Sequence, residues 1–412
     1  MSRALPLRGI RLGTRAATLL LAEFSRRRGP RTALLIGTPE DCPVLTGTLA
    51  ALRSDDALTV VPDAGSLDAP AAVRDRVAAE AAVADRVQVV SALDDAKPAE
   101  VVMVARPLSG TATEAAEFLA ELRDKVAPGG VLVVPSLARP GDPAGVELRE
   151  LAYEHGVGTD LLLRHWPALR IHRLRFTPAE PTVAERLAPV DRPSSVPLTA
   201  GMHLDSNGFV SAAVCLGVAA LVRRARPGSK LWLLPALAAV PVAAFFRDPQ
   251  RQVPEDDGLV VAASDGKVLS VEHVTDDKFG VGDGNWLRIA VFLSVFDVHI
   301  NRAPVAGRVI EVFREQGGYA AAMKPAAEHN VAAYTVIESA HGPVVVAQRT
   351  GMVARRIVHR VPAGSLLARG ERFGLIRFGS RTDVYLPATA TALVAPGDKV
   401  AGGSTVLASL AR

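Results

Sequence analysis

Arg377-Phe378-Gly379-Ser380-Arg381-Thr382-Asp383 lies between two apolar runs, Phe373 to Ile376 and Val384 to Leu386. Taken alone it reads as a turn between two strands, because Gly and Ser punctuate strands. Its surroundings share that rhythm. From Gly258 onward, short β-prone runs alternate with turn residues: Leu259 to Ala262, Lys267 to Val271, Trp286 to Phe292, Val305 to Phe313, Ala332 to Glu338, Gly342 to Gln348 and Arg372 to Phe378. They predict a compact β-rich domain over 248–412.

Two upstream segments add chemistry to that pattern. They are Ala263-Ser264-Asp265-Gly266-Lys267-Val268 and Phe292-Leu293-Ser294-Val295-Phe296-Asp297-Val298-His299-Ile300-Asn301-Arg302-Ala303-Pro304. In this order, the three segments together resemble those of the phosphatidylserine decarboxylase proenzymes, pyruvoyl-dependent enzymes that cut themselves at a Gly-Ser bond. The resemblance covers roughly Pro197 to Arg412. A lone Gly-Ser would say little; three ordered segments are specific.

The resemblance implies cleavage between Gly379 and Ser380, giving a β chain (1–379) and an α chain (380–412), with Ser380 becoming the pyruvoyl group. Removing CO₂ from an α-amino acid leaves a carbanion that needs an electron sink, and side chains do not supply one. A pyruvoyl ketone does, through a Schiff base with the substrate amine. Forming it requires Ser380 Oγ to attack the Gly379 carbonyl, which needs a held turn and a stabilised oxyanion. Serine also needs a base. By position in the matching segments, His299 is that base and Asp265 orients it, a division of roles that recurs on unrelated folds. Many bacterial members carry two histidines three residues apart here. This sequence has Arg302 at the second position, like the shorter subgroup whose cleavage segment also reads Gly-Ser-Arg. A guanidinium is no base at neutral pH, so Arg302, with Asn301 and Arg381, is assigned to gripping the substrate phosphate or carboxylate.

The expected product is phosphatidylethanolamine, made from phosphatidylserine at an anionic membrane. The implied localisation is peripheral, on the cytoplasmic face of the cell membrane, and pairing into a homo-oligomer is also implied. Two other readings stand beside this one: a bifunctional enzyme that also methylates the amine product, and a membrane-binding homologue that does not mature.

Composition bounds the alternatives. A chain of 412 residues predicts two or three domains. With 49% hydrophobic and 22% charged residues, it is a packed protein. The net charge of +4 is mostly arginine and suits an anionic lipid surface. Aromatic content of 5% disfavours base-stacking platforms, so no nucleic-acid partner is expected. Two cysteines build no disulfide framework, and Cys215, in an apolar run, reads as a small buried hydrophobe. The nine histidines are scattered without metal-site spacing, and no metal is expected. Reducing cytoplasm fits.

Residues 1–30 form a basic N-terminal segment. Over 1–31 it carries eight arginines against the single acid Glu23, and reads as an Arg-rich amphipathic stretch or a solvated helix. Over 31–176 strands and helices alternate: Thr32 to Gly37, Val44 to Leu52, Ala57 to Asp63, Ala71 to Val83, Val87 to Val90, Glu100 to Ala105, Thr113 to Val126, Val131 to Val134. This predicts an α/β domain with a largely parallel, Rossmann-like sheet. The layout resembles S-adenosylmethionine-dependent methyltransferases, with Asp63 at the place of their ribose-binding acid. The glycine-rich first loop is missing, because Ile36-Gly37 is followed by Thr38-Pro39-Glu40-Asp41. A degenerate scaffold is expected.

Residues 177–207 form a Pro-rich linker. Over 208–247, the apolar runs Phe209 to Val222 and Leu231 to Phe246 flank Arg223-Arg224-Ala225-Arg226-Pro227-Gly228-Ser229-Lys230. Each run is shorter than the ~20 residues that span a bilayer, so a hairpin dipping into one leaflet is expected. Phe245-Phe246-Arg247-Asp248-Pro249 resembles the link from membrane hairpin to catalytic domain in the decarboxylases. Val394 to Gly403 resembles the hairpin of biotinyl and lipoyl domains, suggesting a barrel-sandwich-like architecture without their modified lysine.

Overall fold

The computed structural model describes residues 5–39, 41–63, 69–191, 194–352, 356–377 and 380–410. The chain divides into two units, Met1–Ala188 and Pro189–Arg412.

The first unit is built on a seven-stranded sheet. Its spatial order is Val87–Val89, Ala57–Pro62, Thr32–Thr38, Ala99–Val104, Val126–Leu137, Leu169–Leu174 and Gly156–Leu162. The first five strands run parallel, Leu169–Leu174 runs against them, and the edge strand Gly156–Leu162 runs with them again. Near-continuous apolar runs such as Ala33-Leu34-Leu35-Ile36 bury both faces, as a sheet covered by helices requires. The result is a Rossmann-like α/β unit. The basic N-terminal stretch is not a solvated helix. Thr14–Ser25 is helical and buries Ala16, Ala17, Leu20, Leu21 and Phe24 against the sheet. Of the following arginines, Arg26, Arg27 and Arg31 are buried and Arg28 is exposed; Arg31 pairs with Asp56, both side chains almost fully buried. Pro128-Gly129-Gly130 lies within the strand Val126–Leu137, which pairs with its neighbour through a register shift there.

The second unit is β-rich. An eight-stranded antiparallel sheet has the order Leu366–Leu367, Gly307–Glu315, Ala332–Ser339, Gly342–Arg349, Ser380–Pro387, Asn285–Leu293, Gly266–Thr275 and Lys399–Val400. Two three-stranded sheets share its core. One is Ile300–Arg302, Arg372–Arg377, Arg356–His359; the other is Leu259–Val261, Val406–Ser409, Thr391–Ala392. Side chains alternate across a strand, so Val344, Val346, Val384 and Leu386 point to one face, meeting Phe373, Ala303 and Leu407. The opposite face carries Trp286, Tyr334, Val345 and Tyr385.

The stretch expected as a linker is partly ordered. Ser195–Thr199 and Met202–Asp205 pair as strands, and Arg247–Pro249 joins them. Asp205 then caps a helix, its carboxylate accepting from Asn207 N at 3.0 Å. That helix, Ser206–Ala225, has 20 residues, enough by length and composition to cross a membrane. It is longer than its apolar run because the polar residues at both ends are helical as well. Leu233–Ala244 follows as a shorter apolar helix. Most of the hairpin is exposed, including Leu216, Leu221, Leu234, Leu237 and Val240. Cys215, on the first helix, is half-exposed and not part of a core.

Candidate active site

Ser380 is the first residue of the strand Ser380–Pro387, which occupies an interior place in the large sheet. The heptapeptide is thus not wholly a turn: one strand ends at Arg377 and another begins at Ser380. Phe378 and Gly379, the other half of the expected cleavage bond, lie outside the described residues. Ser380 is fully buried, and its Oγ has no hydrogen-bond partner among the described residues.

Alternation places Ser380 and Thr382 on the same face as Val384 and Leu386, the inner face that meets the small sheets. Three polar bridges cross that interface. Ser264 and Thr382 hydroxyls lie 2.7 Å apart, Gln348 Nε2 donates to Asn301 Oδ1 at 2.7 Å, and Thr335 Oγ1 meets His359 Nε2 at 2.9 Å. Asn301 Nδ2 and Gln348 Oε1 remain buried without partners among the described residues.

His299 reaches the cleavage segment through its loop. Leu293 pairs with Ser380, and the His299 carbonyl accepts from Ile376 N at 3.2 Å. The loop between them is therefore anchored on both sides of the pair 378–379. His299 is almost fully buried. Its Nδ1 sits 2.9 Å from the Asp297 carbonyl, which can only accept, so Nδ1 carries the proton and Nε2 the lone pair. Burial pushes its pKa down to about 4, the nearby Asp297 carboxylate opposing in part. The imidazole is neutral at pH 7.

Asp265 does not hold His299. Its Oδ1 accepts from Gly402 N at 2.7 Å and its Oδ2 pairs with Arg251 at 2.7 Å. Burial nonetheless raises its pKa. The backbone carbonyl of Asp297 has taken the place expected for this carboxylate, because His299 follows so closely in the same loop.

Two expected substrate ligands are engaged elsewhere. Arg302 is buried, donating to Asp248 at 2.8 Å and to the carbonyls of Gly370 and Pro249 at 3.1 and 2.9 Å. Arg372 pairs with the same Asp248, and Ser195 Oγ donates to it at 2.7 Å. Arg381 points away from Ser380 altogether. Being one residue on, it lies on the opposite face, where Nε donates to Asp383 at 2.5 Å. There Arg349 also binds Asp383, at 2.7 Å, and the Tyr334 and Tyr385 hydroxyls at 3.0 and 3.1 Å. Asn301, by contrast, is on the inner face with a donor to spare.

The segment after the hairpin staples this region. The Phe245 ring lies tilted against His299 with centroids 4.2 Å apart, Arg247 donates to the Phe296 carbonyl, and Asp248 takes Arg302. Phe296 itself is 83% exposed, beside the base of the apolar hairpin. Sequence reasoning missed Ser264, Thr382, Gln348 and Phe245. The available signal was a polar side chain in phase with an apolar strand face, as Gln348 is with Val344 and Val346.

In the first unit, the strand order reverses between Thr32–Thr38 and Ala99–Val104, the switch point where open α/β sheets place ligands. Here the chain's own N-terminal residues occupy it. Leu7 bridges Leu108, Arg8 N donates to Pro107 O, and Ser109 N to Pro6 O, each at 2.8 Å. A Cβ on Gly37 would lie 2.2 Å from Leu7 Cδ1. Asp63, the expected ribose acid, is ion-paired with Arg106 at 2.7 Å.

Comparison with known proteins fits the second unit. The phosphatidylserine decarboxylase family profile matches residues 240–408. The phosphatidylserine decarboxylase proenzyme of Symbiobacterium thermophilum is 48% identical over 207 residues, covering 49% of this chain and 92% of that relative. These matches define the class, a decarboxylase made as a proenzyme. The chain belongs to the phosphatidylserine decarboxylase family. Among solved structures, it is similar to the precorrin-6y C5,15-methyltransferase of Geobacter metallireducens (14% identity, TM-score 0.32, covering 42% of this chain and 100% of that one). It is also similar to TrmN from Thermus thermophilus (16%, 0.33, 40% and 49%). Both likenesses are too slight to speak to activity.

Proposed function

We propose that this chain cleaves itself between Gly379 and Ser380 and that its two products, 1–379 and 380–412, together decarboxylate phosphatidylserine to phosphatidylethanolamine at an anionic membrane. The observation that carries this reading is the Ser380 hydroxyl, buried at the start of an interior strand with no partner among the described residues. Such an orphan costs about 1–3 kcal/mol, and an alanine would suit the apolar face better. Among the described residues nothing rewards the burial of this hydroxyl, and the proposed chemistry gives it a use.

In the proposed sequence, Ser380 Oγ bonds to the Gly379 carbonyl carbon and the peptide C–N bond breaks, the Oγ proton passing to a base and on to the leaving nitrogen, so that an ester joins the two parts. Loss of the Ser380 Cα proton and cleavage of the Cβ–O bond then free Gly379 as a carboxylate, and water hydrolyses the resulting dehydroalanine to pyruvoyl and ammonia. His299 is assigned the Oγ proton transfer, since its buried ring is neutral and its Nε2 carries the lone pair. Asn301 Nδ2 is assigned to the substrate on the inner face. Arg302 instead holds Asp248, which ties Arg302 and Arg372 to the segment after the hairpin. Asp265 is a positioning residue at the corner whose neighbour Ser264 bonds Thr382. The pyruvoyl group derived from Ser380 would supply the electron sink for decarboxylation. The three sheets sharing one core are taken as its barrel-sandwich-like housing.

The apolar hairpin would attach the enzyme peripherally on the cytoplasmic side. The cations Arg223, Arg224, Arg226 and Lys230 would meet anionic headgroups, each contributing about 1 kcal/mol near the surface.

Intact mass under denaturing conditions tests the proposal. The expected result is two chains split after Gly379, the 380–412 piece lighter than one with a free serine N-terminus by the loss of ammonia. Ser380→Ala should give one inactive chain of full length. A Ser380→Ala protein that still decarboxylates would sink the reading.

A further inference from the structure

We infer that the cavity beside the cleavage strand binds the phosphate of the lipid headgroup through Arg314 and Arg356. This rests on the decarboxylase reading above and names the substrate-binding cations that Arg302 and Arg381 cannot be.

The cavity measures about 340 Å³, within the range of small-molecule sites. Its position follows from strand register. Arg356 pairs with Arg377, the last described residue before the cleavage bond. Thr350, another lining residue, is one step beyond the pair Arg349↔Arg381 and so lies level with Ser380. The cavity thus has walls level with Arg377 and with Ser380, the described residues on either side of 378–379. Arg314 pairs with Ala333, which shares the inner face with Thr335. The cavity opens on the face that carries the Ser380 hydroxyl.

Its charge is one-sided. Arg314 and Arg356 both line it, both are exposed, and no carboxylate is among the lining residues. No hydrogen bond or ion pair is recorded for either guanidinium among the described residues. The surrounding arginines behave differently: Arg302 and Arg372 have Asp248, Arg349 and Arg381 have Asp383, and Arg360 has Asp205. His359, also on the wall, is held neutral by burial, with Arg314 adding to the effect. Two forked cations without a counter-ion call for a group with several acceptor oxygens, and a phosphodiester fits that geometry. In phosphatidylserine the phosphate and the reacting amine are only a few bonds apart. A phosphate between Arg314 and Arg356 would therefore deliver the amine toward position 380.

The test uses the matured full-length enzyme and its Arg314→Gln/Arg356→Gln variant. Both side chains are exposed, and complete cleavage into two chains reports that the variant has folded. With phosphatidylserine in neutral-detergent mixed micelles, KM should rise roughly tenfold to a hundredfold while kcat changes little. Arg356→Lys, which keeps the charge but loses the fork, should recover only part of the loss. Inorganic phosphate should inhibit the wild type competitively and the double variant far less. An unchanged KM would overturn the proposal, even if phosphate sensitivity disappeared, since that would mark a site for free anions. Failure of the variant to cleave would overturn it as well, by placing the arginines in maturation. A wild-type enzyme that matures without any decarboxylation would fail the functional reading instead. Phosphate stabilisation of wild type but not variant would then still uphold the anion site.

Discussion

The two units each contain a place where a ligand would be expected, and they treat it oppositely. At the switch point of the first unit, the chain itself fills the crevice, although the buried Thr38 hydroxyl has no partner among the described residues. Leu7 sits against Gly37, Arg106 neutralises Asp63, and main-chain bonds seal residues 6–8 to 107–109. In the second unit, Ser380 Oγ and Asn301 Nδ2 are buried without a partner among the described residues, while the exposed Arg314 and Arg356 guanidiniums line a cavity. An unmade bond in a buried place is destabilising, so it persists where something else needs it. The first crevice is closed by residues 6–8 of the chain itself, whereas the second keeps an unpartnered hydroxyl at the head of its cleavage strand.

That contrast can be attacked at three points. The largest effect belongs to His299. His299→Gln should slow self-cleavage by about 10²–10⁴-fold, followed as disappearance of the full-length chain with time; cleavage at the wild-type rate would remove His299 from the site. The pH dependence has a definite sign. With a pKa held to about 4 by burial, the wild-type rate should be flat around neutrality and fall only as pH drops through about 4 and the ring gains its proton. Next comes Arg302→Gln, which strips one partner from the buried Asp248 and should destabilise the fold by on the order of 3 kcal/mol. Urea unfolding in the Ser380→Ala background, where no cleavage intervenes, measures it. A stability unchanged with a raised KM would return Arg302 to the substrate. The smallest effect concerns the first unit. Titrating S-adenosylmethionine into the full-length protein should give no heat and no shift in Tm. Binding there would mean that residues 5–8 can leave the crevice, and the contrast between the units would collapse.

Much of this was legible in the sequence. The Rossmann-like alternation, the hairpin and the β-rich unit were all announced by periodicity, because each buries apolar residues in a regular phase. Ser380 and His299 stand out in the sequence as parts of ordered segments, and their proposed roles await the tests above. The placement of Arg381 follows a local rule that the reading of the segment did not apply: a residue adjacent to Ser380 in a strand faces the other way. The basic N-terminus misled because eight arginines hide a helix whose Leu20 and Phe24 are core residues. What no local reading supplies is cross-sheet pairing. Gln348 meets Asn301, and Phe245 meets His299, across long stretches of chain. The pairing of Arg302 with Asp248 is of the same kind, and it converts an apparent ligand into a structural clasp.

The position of Ser380–Pro387 inside the large sheet has one more consequence. The strand is flanked by Asn285–Leu293 on one side and Gly342–Arg349 on the other, so it is laddered along both edges. A cut at its first residue would sever the chain without freeing the strand. The α chain would stay as a tightly held fragment, and Val406–Ser409 near its other end would remain paired with Leu259–Val261. The mature enzyme would be a fragment-complemented protein whose reassembly after denaturation is bimolecular and governed by mass action. Its lifetime would be set by how slowly it opens, whereas the uncut precursor could refold as a single chain.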